Sequence, residues 1–298
     1  MNQLMVRVVF VAMLAFGFSA AVGQKPGSTK VQQKILEEFS KNKGFFALAY
    51  RDADSGDEIL IHERERFHAA STMKVPVMIE VYKQIEQGAF TLTDSIIIKN
   101  EFRSIVDGSL FQLNPKDDSE LELYKIIGQK RPLYDVMYQM IIASSNLATN
   151  IIIEKVDARN VTETLRSMGA RDMEVLRGVE DSKAFAKGLN NTVTAYDLMV
   201  LFDAIANGKA VGPGASREMI KILMDQKFNE IIPAQLPPEV KVAHKTGWIQ
   251  GVRHDSGIVV LPNGRKYTLI ILSKNLKDEK AAIQSMASAS KMVYDYFK

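Results

Sequence analysis

The chain contains no cysteine, one tryptophan and only four histidines. Without cysteine it can hold neither a disulfide nor a lipid anchor attached through a thiol, and a domain of this size does not need disulfides to be stable. The histidines are His62, His68, His244 and His254, and no two of them have the HxxxH spacing typical of helical zinc sites. We therefore expect no metal site and no cofactor.

An excess of charge of one sign is also missing. Lys and Arg total 38 and Asp and Glu total 35, for a net charge of +3, and no basic block longer than a short pair occurs. This balance argues against a nucleic-acid partner and indicates a near-neutral soluble protein. The 298 residues, 46% of them hydrophobic, provide enough apolar material for one or two domains.

The chain has no apolar run long enough to cross a membrane as a helix. Its most apolar stretch, residues 8–18, falls short of the roughly 20 residues that a span requires. Arg7 precedes this stretch, and the small residues 21–23 offer a cleavage site before Gln24. This order predicts a signal peptide over residues 1–23, with export to the periplasm or beyond and no membrane attachment after cleavage. Cleavage would remove Arg7 and lower the net charge from +3 to +2.

Strand patterns at both ends of the mature chain enclose a helical middle. We predict an α+β fold in which both termini build one antiparallel sheet and an all-helical lobe is inserted between them. Residues 24–298 would form one catalytic domain, with an α/β lobe at about 30–66 and 226–298 and a helical lobe at about 67–225. Small-molecule sites are favoured at such a junction. The predicted strands are 45–50, 58–62, 240–246, 257–261 and 266–273, and the predicted helices are 31–41, 71–87, 132–143, 146–156, 161–168, 195–207, 216–224 and 278–296.

Three short motifs stand in order along the chain. They are Ser71-Thr72-Met73-Lys74, Ser144-Ser145-Asn146 and Lys245-Thr246-Gly247. A serine three residues before a lysine lies one helical turn from it, so the lysine can take the hydroxyl proton and make the serine a nucleophile. Ser-x-x-Lys also occurs at 40–43 and 288–291, whereas Lys-Thr-Gly occurs once. The ordered set, rather than any one motif, indicates a serine hydrolase.

This ordered set resembles that of the class A β-lactamases and penicillin-binding proteins. The resemblance extends over about residues 30–298 and implies the two-lobed β-lactamase-like fold. It implies a serine β-lactamase of the kind that confers antibiotic resistance, which hydrolyses the β-lactam amide through a covalent acyl-enzyme on Ser71. Lys74 and Ser144 would move protons, and the backbone N–H groups of Ser71 and Trp248 would form the oxyanion hole. The implied substrate-binding residues are Asn146, Lys245, Thr246, Gly247 and Trp248.

Two positions depart from the family pattern. Ser145 stands where aspartate is frequent. Class A enzymes release the acyl group with a glutamate on an irregular loop, and Glu180 is the candidate here. Glu180 follows Arg177 by three residues, where the family pattern has two. The alternative for Glu180 is a surface acid paired with Arg177 or Lys183.

Other functions remain open. The first alternative is a D-Ala-D-Ala carboxypeptidase or esterase on the same scaffold, with slow deacylation. The second is a non-catalytic sensor domain that keeps the fold. A Ser-His-Asp arrangement through His254 and Asp255 is disfavoured because the lysine already supplies a base. We expect a monomer whose partner is a small β-lactam or a molecule that resembles D-Ala-D-Ala.

Overall fold

The computed structural model describes residues 27–298, and the predicted signal peptide lies outside this range. Helices, strands and three short 3-10 turns alternate along the described chain. The helices are α1 (Ser28–Ser40), α2 (Lys74–Glu86), α3 (Leu133–Ile142), α4 (Asn146–Val156), α5 (Ala158–Ser167), α6 (Ser182–Ala186), α7 (Ala195–Ala206), α8 (Pro213–Met224) and α9 (Glu279–Phe297). The strands are β1 (Phe45–Asp52), β2 (Glu58–Ile61), β3 (Phe67–His68), β4 (Ser95–Ile97), β5 (Phe102–Arg103), β6 (Leu110–Phe111), β7 (Lys130–Pro132), β8 (Thr192–Val193), β9 (Lys241–Ile249), β10 (Val252–Val260) and β11 (Lys266–Lys274). The 3-10 turns are Ala70–Met73, Pro115–Asp117 and Leu123–Ile126.

Both ends of the described chain contribute to one antiparallel sheet. Its order is β2-β1-β11-β10-β9, so the N-terminal strand β1 lies directly beside the last strand, β11. Strand β9, which carries the Lys-Thr-Gly motif, pairs with β10 on one side and forms the edge of the sheet. The predicted α+β fold with a sheet built from both ends is therefore confirmed. The inserted lobe is not all-helical as predicted, because it also holds three two-stranded sheets, β3-β8, β4-β7 and β5-β6.

Alternate residues of β1 pack into different cores. Phe46, Leu48 and Tyr50 face a core formed with α1 and α9. Ala47 and Ala49 face the larger core that contains the inserted helices. Side chains alternate across a strand, so both faces of this sheet are covered. The small alanines let α7 pack close to the sheet.

Helix α2 runs through the middle of the inserted helices. Every residue from Lys74 to Tyr82 is buried, which is typical of a helix that is apolar around its whole circumference. Helix α4 is similar, because eight of its residues are buried. The first residues of both helices are thereby held in place by packing. No helix within residues 27–298 has the length and apolar character needed to span a membrane.

Strand β10 starts at Val252, five residues before the predicted start at Gly257. The sequence from Arg253 to Ser256 is polar, and pairing with β9 and β11 buries most of it. Asn263-Gly264 forms the tight turn between β10 and β11, since Gly264 has φ +84 and Leu261 N–H donates to Arg265 O at 2.9 Å. The lobe boundaries at 66/67 and 225/226 remain predictions.

Candidate active site

Ser71 lies on the 3-10 turn that leads into α2, and Lys74 is the first residue of α2. The backbone N–H of Lys74 donates to Ser71 O, which closes a three-residue turn. Side chains at i and i+3 are eclipsed in such a turn, so the hydroxyl and the amine project from the same face. The sequence predicted an α-helix from Ser71, and the first turn is instead 3-10. The consequence for the pair is the same, since both geometries place the two side chains on one side.

The Lys-Thr-Gly strand passes directly over Ser71. A Cβ atom built on Gly247 would lie 3.2 Å from the backbone N of Ser71 and 3.2 Å from Ala70 Cβ and Thr72 Cγ2. Few real Cβ contacts are this short, so a side chain at position 247 would push the two segments apart. Gly247 therefore allows β9 to approach the N–H of Ser71.

Ser144 lies between the two lysines. Its Oγ is 3.0 Å from Lys245 Nζ and 3.3 Å from Lys74 Nζ, and its carbonyl oxygen accepts from Lys74 Nζ at 2.7 Å. Three motifs that are distant in sequence thus meet at one hydroxyl. Among the described residues, the hydrogen-bond acceptors of Lys74 Nζ belong to residues 144–146, and Ser71 Oγ is not one of them.

Both lysines are fully buried, and this changes their acid–base properties. Burial lowers the pKa of Lys74 to about 7, although the charges of Asp118 and Glu180 oppose the change. Burial also lowers the pKa of Lys245 well below its ordinary value, and repulsion from Lys74 lowers it further. Near neutral pH a substantial fraction of Lys74 is therefore the neutral amine, the form that can accept a proton.

Glu180 is joined to Lys74 through Asn146. Asn146 Oδ1 accepts from Lys74 Nζ at 3.0 Å, and Asn146 Nδ2 donates to Glu180 Oε1 at 2.6 Å. The Glu180 side chain lies at the surface of the site, and partial desolvation of its carboxylate raises its pKa while the Asn146 bond opposes the shift. The structure thus brings the candidate deacylation base to the same cluster.

Glu180 does not pair with either of the cations considered as alternatives. The Arg177 guanidinium donates to Leu189 O, Gly178 O and Asn190 Oδ1. Lys183 forms its ion pair with Asp107 at 2.7 Å. Within residues 27–298 Glu180 is exposed, as that alternative expected, but the expected pairing with Arg177 or Lys183 is wrong.

Asn150 is a contributor that the sequence pattern did not reveal. Its Oδ1 accepts from Val179 N at 2.6 Å, and its Nδ2 donates to Val179 O at 3.0 Å. This two-way contact fixes the backbone immediately before Glu180. Asn150 lies four residues after Asn146 and hence on the same face of α4, a spacing that could have pointed to it. Asp118 was also missed, although its carboxylate accepts from the first N–H groups of α4.

Thr246 and Trp248 continue β9 beyond the lysine. Thr246 is half-buried, and its carbonyl oxygen accepts from Lys245 Nζ at 2.9 Å. The Trp248 side chain is 59% exposed, lies with its ring 4.8 Å from the Arg253 guanidinium and donates from Nε1 to Glu279 at 3.3 Å. The indole therefore stands at the sheet edge, while the backbone of the same residue follows Gly247 past Ser71.

His254 and Asp255 do not form a triad with a serine. As neighbours on β10 they point to opposite faces of the sheet. His254 contacts the backbone carbonyls of His68 and Arg253, and burial lowers its pKa to about 4. Asp255 instead pairs with buried His244 at 2.8 Å. The disfavoured arrangement is therefore absent from the described residues.

Backbone strain is concentrated around this cluster. Seven non-glycine residues in the range 27–298 have positive φ, and three of them are Ala70 (φ +44), Ser144 (φ +57) and Glu180 (φ +61). A left-handed conformation is unfavourable for residues with a Cβ, and it persists where the surrounding structure imposes it. Ala70 directly precedes the candidate nucleophile, so all three strained positions set the directions of site residues.

Ser71, two buried lysines and a second serine form a candidate site of the kind that serine hydrolases use for acyl transfer. Comparison with known proteins gives the family. The model of the β-lactamase enzyme family matches residues 30–297. Beta-lactamase 1 of Bacillus cereus is 26% identical over 268 residues, which cover 87% of this chain and 80% of that protein.

Solved structures share the fold. PBP-A superposes with a TM-score of 0.77 at 26% identity, covering 90% of this chain and 96% of its own. A β-lactamase from Sphaerobacter thermophilus also has a TM-score of 0.77, at 24% identity, with 90% and 97% covered. A variant of PBP-A has been solved as an acyl-enzyme complex with penicillin G. The present chain belongs to the β-lactamase enzyme family, and it is a hydrolase of the β-lactamase type.

Proposed function

We propose that this protein is an exported class A-type serine β-lactamase that uses Ser71 as its nucleophile. The observation that carries the proposal is the position of Ser144, whose Oγ accepts hydrogen bonds from both Lys74 and Lys245. This hydroxyl lies where the Ser71 turn, the α3–α4 turn and β9 meet. Hydrolysis of a β-lactam by the exported enzyme would protect the producing cell from the antibiotic.

Acylation begins with neutral Lys74. The amine takes the Ser71 hydroxyl proton while Ser71 Oγ attacks the lactam carbonyl carbon, and the carbonyl oxygen becomes an oxyanion. The backbone N–H groups of Ser71 and Trp248 are the proposed donors to that oxyanion. The close approach of Gly247 to Ser71 N supports this assignment, because it brings the strand that carries Trp248 beside the first donor. Loss of one such donor costs about 3 kcal/mol.

The lactam nitrogen must receive a proton when the C–N bond breaks. A serine hydroxyl has two acceptor lone pairs and one donor hydrogen. Lys74 and Lys245 both donate to Ser144 Oγ, so the Ser144 hydrogen is left to donate to the nitrogen. Lys74, now an ammonium, returns a proton to Ser144. The proton taken from Ser71 thereby reaches the leaving nitrogen.

Substrate carboxylate binding is assigned to Lys245 and Thr246. Lys245 is buried beside a second lysine and has a strongly lowered pKa. A substrate carboxylate would supply the missing counter-charge and favour the ammonium form. Anionic substrates are thus bound preferentially, as expected for β-lactams and for peptides that end in a carboxylate.

Deacylation is assigned to Glu180. Its carboxylate would take a proton from a water molecule, and the hydroxide would attack the acyl carbonyl carbon and break its bond to Ser71 Oγ. The leaving oxygen would receive the proton that Glu180 took up, so that both groups return to their starting forms. The raised pKa of Glu180 makes it a better base than an ordinary carboxylate. The Asn146 side chain bonds to both Glu180 and Lys74 and so keeps the two groups close to each other.

A carboxypeptidase or esterase with slow deacylation is the second candidate. The observation that favours it is the contact of Asn150 with Val179, one residue before Glu180. Asn150 therefore holds Val179, whereas the candidate base Glu180 is the next residue and has a left-handed backbone conformation. The similarity to PBP-A is in keeping with this candidate, because a PBP-A variant was captured as a penicillin acyl-enzyme.

Incubation of the purified protein with a chromogenic cephalosporin tests the proposal. We expect many turnovers per enzyme molecule and hydrolysis of the β-lactam ring. Stoichiometric labelling without turnover, together with cleavage of a peptide that ends in D-Ala-D-Ala, would favour the second candidate instead. If mass spectrometry finds neither turnover nor a covalent adduct, the enzymatic proposal is wrong and the sensor alternative returns.

The acylation rate is expected to follow the titration of Lys74. Because burial lowers the pKa of Lys74 to about 7, protonation below that pH removes the base. The acylation rate constant should rise about tenfold per pH unit below pH ~6 and level off above pH ~8. Stopped-flow acylation across this range measures the profile. A flat profile from pH 5 to 9 would exclude Lys74 as the titrating base.

A further inference from the structure

Asp118 holds the start of α4 from outside that helix. One carboxylate oxygen, Oδ2, accepts from Asn146 N at 2.9 Å, Leu147 N at 2.9 Å, Tyr124 OH at 3.0 Å and Ser145 Oγ at 3.4 Å. Three of these donors belong to the segment 145–147. Asp118 is 9% exposed, so water offers little substitute for these contacts. The carboxylate is therefore part of the structure that carries the second motif.

The position of this charge suits the helix. The first N–H groups of a helix have no partners within it, and the N-terminal end of the helix dipole favours a negative charge. Ser145, the N-cap residue, accepts from Ala148 N at 3.1 Å and so satisfies a different N–H group. Asp118 and Ser145 together provide acceptors for the N–H groups of residues 146, 147 and 148.

Asp118 also acts on the lysine. Its negative charge raises the pKa of Lys74, as does that of Glu180, and both oppose the effect of burial. Lys245 also faces Lys74, since both amines donate to Ser144 Oγ. The segment that Asp118 anchors supplies Lys74 with two acceptors, the backbone oxygen of Ser145 and the side-chain oxygen Oδ1 of Asn146.

We propose that Asp118 is a positioning residue that supplies, from the segment before α3, the carboxylate that the second motif lacks at Ser145. Asp118 orients Asn146 and the Ser144 turn, and it sets the charge balance at Lys74 without touching substrate. This inference rests on the proposed function and deepens it.

The test compares Asp118→Asn with the matched control Asp117→Asn. Asp117 is the adjacent carboxylate, but its side chain is exposed and bonds to Asn114. Asp118→Asn should lower the acylation rate constant at least about tenfold, because small displacements of reacting groups are costly. It should also shift the acid limb of the acylation profile down by about half a pH unit or more, since a negative charge near Lys74 is lost. Asp117→Asn should change neither quantity by more than about twofold or 0.2 unit.

A second variant separates positioning from general loss of structure. Aspartate is as good an N-cap as serine, so Ser145→Asp can keep the bond to Ala148 N and return a carboxylate to the motif. The double variant Asp118→Asn with Ser145→Asp should recover most of the acylation rate and the original acid limb. If the double variant has wild-type thermal stability but does not recover, the inference that Asp118 takes the place of a carboxylate at position 145 is wrong.

A readout without substrate keeps the inference separate from the proposed function. NMR titration of lysine Cε signals, with Lys74→Arg to assign the peak, follows the lysine directly. We expect a lower midpoint for Lys74 in Asp118→Asn and an unchanged midpoint in Asp117→Asn. If wild type is never acylated, the proposed function fails while this titration still decides the role of Asp118. An unchanged midpoint and unchanged acylation in Asp118→Asn would overturn the inference.

Discussion

Replacing Ser71 with alanine is expected to abolish both β-lactam turnover and covalent labelling. Loss of the nucleophile in a serine hydrolase lowers kcat by about a thousandfold or more, because the oxyanion donors and binding contacts that remain cannot replace it. The surroundings should be little disturbed, since Ser71 is half-buried and the hydrogen bonds that shape its turn are made by its backbone. Turnover of a chromogenic cephalosporin and intact-protein mass spectrometry measure the two losses.

Ser40 provides a matched control for this variant. It belongs to another Ser-x-x-Lys sequence and is exposed at the end of α1, where its hydroxyl donates to the carbonyl oxygen of Glu37. Ser40→Ala should retain wild-type turnover and labelling, which would show that the tertiary setting of Ser71 confers the reactivity. Unchanged turnover in Ser71→Ala would remove Ser71 as the nucleophile and with it the acyl-enzyme.

Glu180→Gln should trap the acyl-enzyme. Glutamine keeps the size of the side chain and an oxygen that can accept from Asn146 Nδ2, but it cannot take a proton from water. General base catalysis contributes about 10²- to 10⁴-fold, so deacylation should slow by that factor while acylation persists. The acid limb of acylation should also move to lower pH, because the Glu180 charge raises the pKa of Lys74 in the wild type.

Mass spectrometry after mixing with a penicillin would show the adduct as a mass increase equal to that of the whole antibiotic. Glu174→Gln is the control, since Glu174 lies in the same segment but pairs through its backbone with Thr192. Its turnover should match the wild type. If Glu180→Gln accumulates no adduct and turns over normally, another group activates the water. If the wild type itself accumulates the adduct, the slow-deacylation alternative is favoured.

Local sequence determined much of the fold. The apolar runs of α2 and α4 are continuous enough to predict buried helices, and both are observed close to their predicted bounds. Strands β1 and β11 were predicted at 45–50 and 266–273, and their pairing joins the two ends of the described chain. The polar start of β10 was not predicted as strand, because its residues are not apolar and are buried only by pairing with β9 and β11.

The residue types and their order also specified the parts of the site. A serine and a lysine three positions apart lie on one face in either kind of helical turn, so their proximity follows from spacing alone. A glycine after Lys-Thr predicts a close approach of two backbone segments, which is observed at Ser71. Chemistry that depends on neighbours along the chain therefore follows from the order of the residues.

Contacts between distant segments were decided only by the tertiary structure. The hydrogen bonds in question join residues that are 28 to 101 positions apart in the sequence. They link Ser144 to Lys74 and Lys245, Asn146 to Glu180, and the first residues of α4 to Asp118. Their geometry depends on how helices and sheet pack, and local spacing carries no information about that. The lowered pKa values of the lysines have the same origin, because burial is a property of the folded chain. The sequence thus specified which groups are available, and packing set their distances, their charges and the task each can perform.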